Sequence, residues 1–305
     1  MSAGVLFLTG PTASGKSVLA LELAERFGAE IVSADSRQIY RGMPVGTAAP
    51  SDADRARVPH HLVGFLDPRE RYSAARFVAD ALTAIDGAHA RGRRALVVGG
   101  TGFYVRALAG DVVLSPAYDA VVRERLAREA RIHPPDALAE WLRALAPARA
   151  AAIVPNDPYR ITRALEIALA ERTGARRDDA PAIADNLRTR GIPFRKLYVD
   201  IEPGELERRI VARVDAMLAN GLQEEAERVG ADAVAADAVG YREALAYLAG
   251  WSTRDELRAQ LIRNTQRYAK RQATWFRTEP GLVRVAADGA FARAAAEAGA
   301  LPGWA

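Results

Sequence analysis

The residues with the clearest chemical potential are the eight from Gly10 to Ser17, which read Gly-Pro-Thr-Ala-Ser-Gly-Lys-Ser. They match the pattern G-x-x-x-x-G-K-[ST] of the phosphate-binding P-loop. Gly10 and Gly15 allow a tight turn in which successive backbone N–H groups point at an anion. Lys16 supplies a mobile ammonium group for terminal phosphates, and the Ser17 hydroxyl can ligate Mg²⁺. The pattern predicts a phosphate or diphosphate site without indicating which compound carries the phosphate.

The flanking residues favour a strand before this loop and a helix after it. Val5–Thr9 is a short apolar run typical of a buried strand. Leu19, Leu23 and Phe27 recur four apart, which places them on one helical face. Gly28 then occupies the position of a helix C-cap glycine. A strand, a glycine-rich turn and a helix in this order are the context that the P-loop requires.

Two further strand ends carry polar side chains that could share a site with the P-loop. Glu30–Ser33 has the pattern of a second strand, and Asp35 follows it. Arg94–Val98 has the pattern of a third, which ends in the glycine-rich turn Gly99–Gly102 with a hydroxyl at Thr101. Ligands of open α/β sheets bind beyond the carboxyl ends of the strands, so both side chains are expected at one crevice. Asp35 could equally serve an Asx-turn or a helix N-cap.

Composition limits the class of protein more than it identifies it. The chain has 305 residues, half of them hydrophobic, a net charge of +4 and no cysteine. The lack of cysteine excludes disulfides, thiolate zinc sites and a cysteine nucleophile, and fits a cytoplasmic protein. Apolar runs fall far short of the ~18–20 residues of a membrane span, and no secretory signal is visible. His60 and His61 have no further ligand at metal spacing, so a structural role is predicted for them.

The remaining elements predict an α/β fold, a P-loop NTPase-like parallel sheet flanked by helices, with an inserted all-helical domain. Phe194–Ile201 is the fourth predicted strand, and Leu282–Val285 is the last. No strand pattern separates the third strand from the fourth; helices are predicted at 119–130, 136–146 and 158–172, and a mobile linker at 173–191. We expect a core domain of residues 1–114 and 191–305 and an inserted domain of residues 115–190.

Two helical segments concentrate basic side chains. Arg160 and Arg163 lie three apart and share a helical face. The predicted helix 253–277 has only two acidic residues against a large basic set: Arg254, Arg258, Arg263, Arg267, Lys270, Arg271 and Arg277. Such spacing beside Trp275 and Phe276 suits a polyanion backbone. A solvated helical face explains the same pattern, and both interpretations remain open at this point.

Together these motifs resemble the tRNA dimethylallyltransferase (tRNA isopentenyltransferase) family in its bacterial form. Besides Gly10–Ser17, the segment Ser33–Tyr40 is similar to the family pattern S-A-D-S-x-Q-x-Y. Further family-like motifs follow in order: Pro59–Leu62, Tyr72–Ser73, Gly99–Tyr104, Asn156–Arg160, Arg163–Glu166, Gly240–Glu243, Thr265, Ala269–Gln272 and Trp275–Phe276. The match covers nearly the whole chain, and this ordered set is far more specific than the P-loop alone.

The resemblance implies transfer of a dimethylallyl group from dimethylallyl diphosphate to the N6 amine of adenosine 37, in tRNAs that read codons beginning with U. Asp35 is implied as the general base at the amine, and Thr101 as a donor near the bridging oxygen of the leaving diphosphate. The implied cofactor is Mg²⁺ on Ser17. A monomer without membrane contact is expected. The implied diphosphate-binding residues are Gly10, Pro11, Thr12, Ala13, Ser14, Gly15, Lys16, Ser17, Arg209 and Arg213.

The family's contacts with the tRNA anticodon stem-loop map onto both predicted domains. The target adenosine would be flipped into a channel, because its amine is otherwise hard to reach. The implied tRNA-binding residues are Asp35, Ser36, Arg37, Gln38, Thr101, Arg123, Tyr159, Arg160, Ile161, Thr162, Arg163, Gly240, Tyr241, Arg242, Lys270 and Arg271.

This chain departs from the family pattern in two respects. The family often has D-I-G-T-A-K-P where this chain has Pro44–Pro50, so an acid and a lysine are missing at Pro44 and Ala49. Contacts that those two side chains make in the family have no counterpart here. The C-terminal zinc finger of eukaryotic relatives is not expected either, because the chain has no cysteine.

Three other functions share parts of the pattern. A P-loop small-molecule or nucleoside kinase would also have a helical lid and an acceptor site after the second strand. Against it, Gly99–Tyr104 lacks the aspartate that holds Mg²⁺ in many P-loop NTPases. A non-catalytic RNA-binding module leaves a complete P-loop unexplained. A prenyltransferase that acts on a free adenine nucleotide leaves the basic helices without a role.

Overall fold

The computed structural model describes residues 3–114, 120–154, 157–173 and 185–304. The chain divides into two compact units. The first consists of Met1–Val113 and Asp185–Ala305, and the second of Leu114–Ala184. Asn156 and most of the predicted linker, residues 174–184, lie outside the described residues.

The first unit is built on a parallel sheet. Its strands are β1 Val5–Thr9, β2 Ala29–Ser33, β3 His60–His61, β4 Arg94–Gly99, β5 Phe194–Asp200 and β6 Leu282–Ala286. They lie in the order β3-β2-β4-β1-β5-β6, and every neighbouring pair is parallel. Thr9 at the end of β1 pairs with Gly99 of β4 and Tyr198 of β5. The loops that follow the central strands therefore meet at one edge of the sheet.

Helices cover both faces of this sheet. In chain order the helices are α1 Lys16–Phe27, α2 Pro44–Thr47, α3 Asp52–Arg57, α4 Ala74–Ala90, α5 Gly102–Ala109, α6 Ala120–Ile132, α7 Pro135–Leu145, α8 Pro147–Ala151, α9 Pro158–Thr173, α10 Pro203–Ala219, α11 Leu222–Val229, a 3₁₀ helix Val234–Asp237, α12 Tyr241–Leu248, α13 Arg254–Phe276 and α14 Ala290–Gly299. β1 and β2 are buried at every position. Near-continuous apolar strands are what a parallel sheet covered on both faces needs.

The core of the first unit is formed by apolar side chains on both sides of the sheet. On one side, Leu6 and Leu23 pack with Trp304, whose Nε1 donates to the carbonyl oxygen of Gly4 at 2.7 Å. Successive strand residues point to opposite faces, so Phe7 faces the other side. Next to the sheet, Phe77 of α4 stacks on Tyr104 of α5 with ring centroids 4.3 Å apart. These contacts fix α1 and α5, the two helices that begin at the strand ends.

Among its described residues, the second unit's helices and strands are all helices. Helices α6 to α9 pack around a small apolar core. Leu138 and Leu142 of α7 lie one turn apart and face Ile161 and Leu165 of α9. Pro135 stands at the first position of α7, where its missing N–H has no intrahelical partner to lose. This unit therefore has a hydrophobic core of its own.

The predicted α/β fold class is confirmed, and residues 185–190 correct the expected extent of the linker and insertion. Leu187 is fully buried, and its backbone N–H donates to the carbonyl oxygen of Leu108 at 2.9 Å. Arg190 forms ion pairs with Asp86 and Asp185 at 2.7 and 2.6 Å. These contacts assign the segment to the first unit. A single leucine among polar residues gives no periodic pattern, which is why the sequence suggested a linker.

The contacts of His61 and the lengths of the helices bear on two predictions from the sequence, a structural histidine pair and no membrane span. His61 lies on the edge strand β3, and its Nε2 is 2.6 Å from an oxygen of the buried Glu30. That contact gives this histidine the structural role predicted for it. Among the described residues, no helix has both the length and the apolar character needed to cross a bilayer.

A buried ion cluster joins β5 to the segments after α5 and α13. Lys196 is 1% exposed, and its ammonium group donates to the carboxylates of Asp111 and Glu279. Glu279 also accepts from Arg106 at 2.8 Å, and Asp111 from Arg188 at 2.6 Å. Removing the central cation would leave two carboxylates with less compensation in a buried setting.

We expect Lys196→Met to lower the free energy of unfolding by about 3–5 kcal/mol, because breaking a buried pair leaves uncompensated charge. Urea denaturation measures the change. The control is Arg195→Met, one position earlier on the strand. The Arg195 side chain is exposed, and its one ion pair among the described residues is with Glu297 at 3.5 Å. Loss of that surface pair should cost less than about 1 kcal/mol. Equal effects of the two substitutions would contradict the role given to the cluster.

Candidate active site

The P-loop joins β1 to α1 in a strained backbone turn. Ala13 and Gly15 both have positive φ angles, 65° and 90°. Glycine adopts such angles without penalty, whereas alanine does not. Ser14 is 1% exposed, and its hydroxyl has no hydrogen-bond partner within the described part of the chain. A buried hydroxyl without a partner in this glycine-containing turn fits a loop that closes around an anion.

Two cations near this loop are poorly solvated. Lys16 donates from Nζ to the carbonyl oxygen of Pro11 at 3.2 Å. Burial lowers the pKa of Lys16 to about 8, an effect that Asp35 opposes and Arg213 reinforces. Burial also lowers the pKa of Arg213, and Asp35 again opposes the shift. Two desolvated cations that share one nearby carboxylate create a local excess of positive charge, which favours a bound anion.

Helix α10 brings both predicted diphosphate-binding arginines to the loop. Arg209 donates to the carbonyl oxygen of Ser14 at 3.3 Å and to Glu205 at 2.7 Å. Arg213, one turn later, donates to the carbonyl oxygen of Thr47 at 3.3 Å. The spacing of four residues puts the two guanidinium groups on one face of the helix.

Asp35 follows β2 and divides its two carboxylate oxygens between different tasks. Oδ1 accepts from the backbone N–H of Arg37 at 2.8 Å and of Gln38 at 3.3 Å, which forms an Asx-turn. Oδ2 has no hydrogen-bond partner among the described residues. The turn therefore exists, and it leaves one oxygen available to accept a proton.

The turn after β4 lies against the Asp35 turn. Thr101 donates its N–H to the carbonyl oxygen of Ala34 at 3.3 Å, and its hydroxyl accepts from the N–H of Ser36 at 3.0 Å. A Cβ on Gly99 would lie 2.2 Å from the Ala34 oxygen, so only glycine permits this approach. The structure thus brings Asp35 and Thr101 together, as their strand-end positions predicted.

Two residues of α13 contact the site although the sequence predicted no role in it for either. Gln272 accepts from the N–H of Thr12 at 2.8 Å and donates to the carbonyl oxygen of Gly100 at 3.1 Å. Tyr268, one turn earlier, lies near Asp35 and Arg213, and burial together with the Asp35 charge raises the pKa of its hydroxyl. Their spacing of four residues indicates a shared helical face. No local pattern, however, linked that face to loops some 170 to 260 residues away in sequence.

Comparison with known proteins then decides the family. The model described as IPP transferase matches residues 38–279, and the model described as Isopentenyl transferase matches residues 3–59. The chain belongs to the IPP transferase family. The family resemblance predicted from the motifs is confirmed.

Several curated relatives match this chain over nearly their whole length. The tRNA dimethylallyltransferase of Geobacter metallireducens is 44% identical over 295 residues, 94% of each chain. That of Thiobacillus denitrificans is 46% identical over 303 residues, 95% of each chain.

Solved structures agree with the fold. The crystal structure of the full-length tRNA isopentenylpyrophosphate transferase from Bacillus halodurans is 35% identical, with a TM-score of 0.66, over 93% of this chain and 90% of that one. A eukaryotic dimethylallyltransferase acting on tRNA has a TM-score of 0.74 at 24% identity, over 94% of this chain and 74% of that one, and it shares the fold.

The segment that departs from the family pattern contacts the site through its backbone. Pro44 occupies the first position of α2, where proline suits a helix start. The carbonyl oxygen of Thr47 accepts from Arg213 at 3.3 Å and from Gln38 at 3.4 Å. The buried carboxylate of Glu225 accepts from the N–H groups of Val45 and Gly46 at 2.9 and 2.8 Å. The segment keeps its place beside the site without the missing acid and lysine.

The predicted tRNA-binding residues of the first unit occupy different environments. Arg37 forms an ion pair with Asp237 at 2.6 Å, and Gln38 bonds backbone carbonyls of Thr47 and Ala48. Arg242, Lys270 and Arg271 are exposed, and Ser36 is half-buried. Gly240 has a φ of 108° and caps α12, a conformation that favours glycine.

Tyr241 is a correction to the expected tRNA contacts. Its side chain is fully buried, and its hydroxyl donates to Glu225 at 2.6 Å. Its ring leaves no room for a Cβ on Gly46, which would lie 2.6 Å away. A side chain in this position supports α2 and is not available to a nucleic acid. A tyrosine beside an exposed arginine carries no sequence signal that separates the two roles.

The predicted tRNA-binding residues of the second unit likewise include both exposed and buried side chains. Tyr159 is 78% exposed, and the exposed Arg160 forms an ion pair with Asp157 at 3.2 Å. Ile161 is 1% exposed and belongs to the unit's core, so its side chain is a second correction. The Thr162 hydroxyl donates back to the carbonyl of Pro158 at 2.8 Å.

Buried Glu166 organises two of the predicted arginines in this unit. One oxygen accepts from Arg123 at 2.8 Å, and the other from Arg163 at 2.6 Å. Glu166 is 4% exposed. Both guanidinium groups are therefore held in place by a common carboxylate.

The residues around Ser17 fit Mg²⁺ only as part of a shared ligand set. Ser17 is exposed at the start of α1. Within the described ranges, no group of three or more His, Cys, Asp or Glu side chains could hold a metal ion. Mg²⁺ commonly binds through few protein ligands together with substrate phosphates and water, and one serine hydroxyl suits that arrangement.

We expect Tyr241→Phe to lower the free energy of unfolding by about 1–3 kcal/mol, because Glu225 loses a buried hydrogen bond. Urea denaturation measures the loss, and filter binding at a temperature where the variant is folded should give an unchanged tRNA affinity. The matched control is Tyr159→Phe, which should leave stability unchanged because this hydroxyl is exposed. If a fully stable Tyr241→Phe variant bound tRNA more weakly, the result would support a direct contact between Tyr241 and tRNA.

Proposed function

We propose that this protein transfers the dimethylallyl group of dimethylallyl diphosphate to the N6 amine of adenosine 37, in tRNAs that read codons beginning with U. The observation that carries the proposal is that the P-loop cation Lys16 lies near Asp35 at one edge of the sheet, and that one carboxylate oxygen of Asp35 is not used by the Asx-turn. Relatives over 40% identical along nearly the whole chain are named tRNA dimethylallyltransferases, which supports it. The tRNA substrate favours a cytoplasmic enzyme, and we propose that it acts as a monomer.

Asp35 is the proposed general base. The N6 lone pair forms a bond to the first carbon of the allylic group while the bond from that carbon to the diphosphate oxygen breaks. The proton of the amine passes to the Asp35 carboxylate, whose Oδ1 is held by the Asx-turn. Because the turn fixes the carboxylate, Oδ2 is oriented before the acceptor arrives.

The P-loop and α10 are proposed to stabilise the leaving group. Negative charge grows on the diphosphate as the carbon–oxygen bond breaks, so preorganised donors and cations act mainly in the transition state. The buried hydroxyl of Ser14, the ammonium of Lys16 and the guanidinium groups of Arg209 and Arg213 supply them. Mg²⁺ bound through Ser17 and the phosphate oxygens would neutralise part of the same charge.

Thr101 is proposed to contribute a hydrogen bond at the bridging oxygen. Its hydroxyl already accepts from the N–H of Ser36, so the hydroxyl hydrogen is free to point toward the crevice or to the Ser36 hydroxyl 3.4 Å away. Donation to the departing oxygen would reinforce the effect of the cations.

We also propose that the inserted helical unit contacts the anticodon arm. What supports it is the cluster in which Glu166 holds Arg123 and Arg163, together with the exposed Tyr159 and Arg160. Preoriented guanidinium groups lose less freedom on meeting a phosphate, and an exposed tyrosine offers a stacking surface.

We expect the wild-type protein, given dimethylallyl diphosphate, Mg²⁺ and a tRNA that reads codons beginning with U, to add one dimethylallyl group to adenosine. The Asp35→Asn variant should carry out the same reaction about 10²–10⁴ times more slowly. Asparagine retains the oxygen that the Asx-turn needs, but it cannot take up the proton. Mass spectrometry of digested tRNA nucleosides measures the product, and filter binding shows whether tRNA affinity is kept.

Asp35→Ala serves as the comparison, since it removes both the turn and the base. An active Asp35→Asn beside an inactive Asp35→Ala would mean that Asp35 matters only for the turn. ATP hydrolysis or phosphoryl transfer without any prenylated nucleoside would instead support a kinase.

We expect Arg160→Ala to weaken tRNA binding and to reduce the slope of log affinity against log salt concentration by about 1, because one phosphate contact is lost. Affinity for inorganic pyrophosphate should not change. The control is Arg293→Ala on α14, an exposed arginine paired with Glu297 that no motif assigns to RNA. An unchanged salt slope for Arg160→Ala would remove this residue from the proposed interface.

A further inference from the structure

A single carboxamide on α13 bridges two separate loops of the site. The Oε1 atom of Gln272 accepts from the backbone N–H of Thr12 in the P-loop at 2.8 Å. Its Nε2 donates to the carbonyl oxygen of Gly100, in the turn after β4, at 3.1 Å. Gln272 is 5% exposed, and both hydrogen bonds are buried. The side chain thus uses its acceptor on one loop and a donor on the other.

The space around this bridge is closely filled. A Cβ built on Gly100 would lie 2.0 Å from Nε2 of Gln272 and 3.4 Å from the carbonyl oxygen of Gly10. Next to it, a Cβ on Gly102 would lie 2.0 Å from the ring of Trp275 on the same helix. The turn after β4 therefore rests directly on α13, with Gln272 as the polar contact within an otherwise steric interface.

The two bridged loops contact different parts of the reacting group in the proposed reaction. The P-loop would hold the diphosphate through Ser14 and Lys16, while the turn after β4 carries Thr101, which lies against the Asp35 turn. Their relative position sets the distance from the leaving oxygen to Thr101 and to the general base. Errors of about 1 Å in such distances can cost around a hundredfold in rate.

We propose that Gln272 is a positioning residue that fixes the P-loop relative to the Thr101 turn, so that the diphosphate is held in register with the acceptor side of the site. This inference rests on the proposed function. Gln272 does not touch the reacting atoms; it acts by satisfying the Thr12 N–H and the Gly100 carbonyl, one from each loop. An apolar side chain of the same length would fill the space but leave both groups without a partner in a buried position.

The first test compares Gln272→Met with the wild type. We expect the KM for dimethylallyl diphosphate and the Kd for inorganic pyrophosphate to rise about tenfold, with a fall in kcat and a tRNA affinity within twofold of wild type. The control is Gln260→Met, the same substitution at a half-buried glutamine three turns earlier on α13. It should leave all four quantities unchanged.

The second test is a double-mutant cycle with the neighbouring glycine. Gly100→Ala should impair catalysis, because its new Cβ displaces the carboxamide. Gln272→Ala removes that carboxamide, so the Gly100→Ala, Gln272→Ala double variant should have a KM for dimethylallyl diphosphate within twofold of Gln272→Ala alone. Independent effects would multiply, whereas a shared contact makes them non-additive.

Several outcomes would overturn the inference. A merely structural Gln272 would lower the melting temperature of Gln272→Met and, in the folded fraction, leave the pyrophosphate Kd unchanged. Loss of tRNA and pyrophosphate affinity in equal measure would likewise contradict a selective effect on the diphosphate loop, as would multiplicative effects in the cycle. Failure of the proposed function is distinguishable, because the wild type would then form no prenylated tRNA, while pyrophosphate binding would still report on Gln272.

Discussion

The site depends on a close backbone approach at the turn after β4, where three of the four residues are glycines. Cβ atoms on Gly99, Gly100 and Gly102 would lie 2.0–2.2 Å from Ala34, Gln272 and Trp275, respectively. At Gly99 the obstacle is backbone, so only glycine fits; at Gly100 and Gly102 a side chain would force Gln272 or Trp275 to move. Because the turn is pressed against both β2's exit loop and α13, Thr101 has one defined place beside the Asp35 turn.

Around this steric frame, charge is distributed unevenly in a way that suits an anionic ligand. Burial lowers the pKa values of Lys16 and Arg213, and Asp35 is the carboxylate that opposes both shifts. Elsewhere in the first unit, cations are more fully matched, as where Lys196 lies between Asp111 and Glu279. The protein therefore pairs the cations of its core but leaves the cations at the strand ends with too little negative charge around them. The positive potential that results there can be neutralised by an anionic substrate.

Sequence reasoning recovered the parts of the site that local patterns encode. The P-loop, Asp35 and Thr101 each follow an apolar strand, and parallel strands bring their carboxyl ends to one edge, so their proximity was predictable. Gln272 was not, because its two partners lie 260 and 172 residues away and a helical glutamine has no diagnostic spacing. The burial of Tyr241 and Ile161 was missed for a related reason: a family motif marks a position without saying whether its side chain faces a ligand or the core. Residues 185–190 were assigned to the wrong unit because one buried leucine, Leu187, gives no period.

The P-loop by itself does not distinguish a group that is transferred from one that departs. In a kinase the phosphate held by this loop moves to the acceptor, and an acidic residue at a neighbouring strand end commonly helps to hold the metal. Here β4, one of the two strands beside β1, leads into Gly99–Thr101, which offers a hydroxyl and close packing instead of an acid. In the proposed reaction, without an acid at this turn, more of the charge on the phosphates would be neutralised by Arg209 and Arg213 of α10, which lie beside the loop and beside Thr47. That division of labour suits a diphosphate that leaves with its full charge while an uncharged hydrocarbon moves toward Asp35.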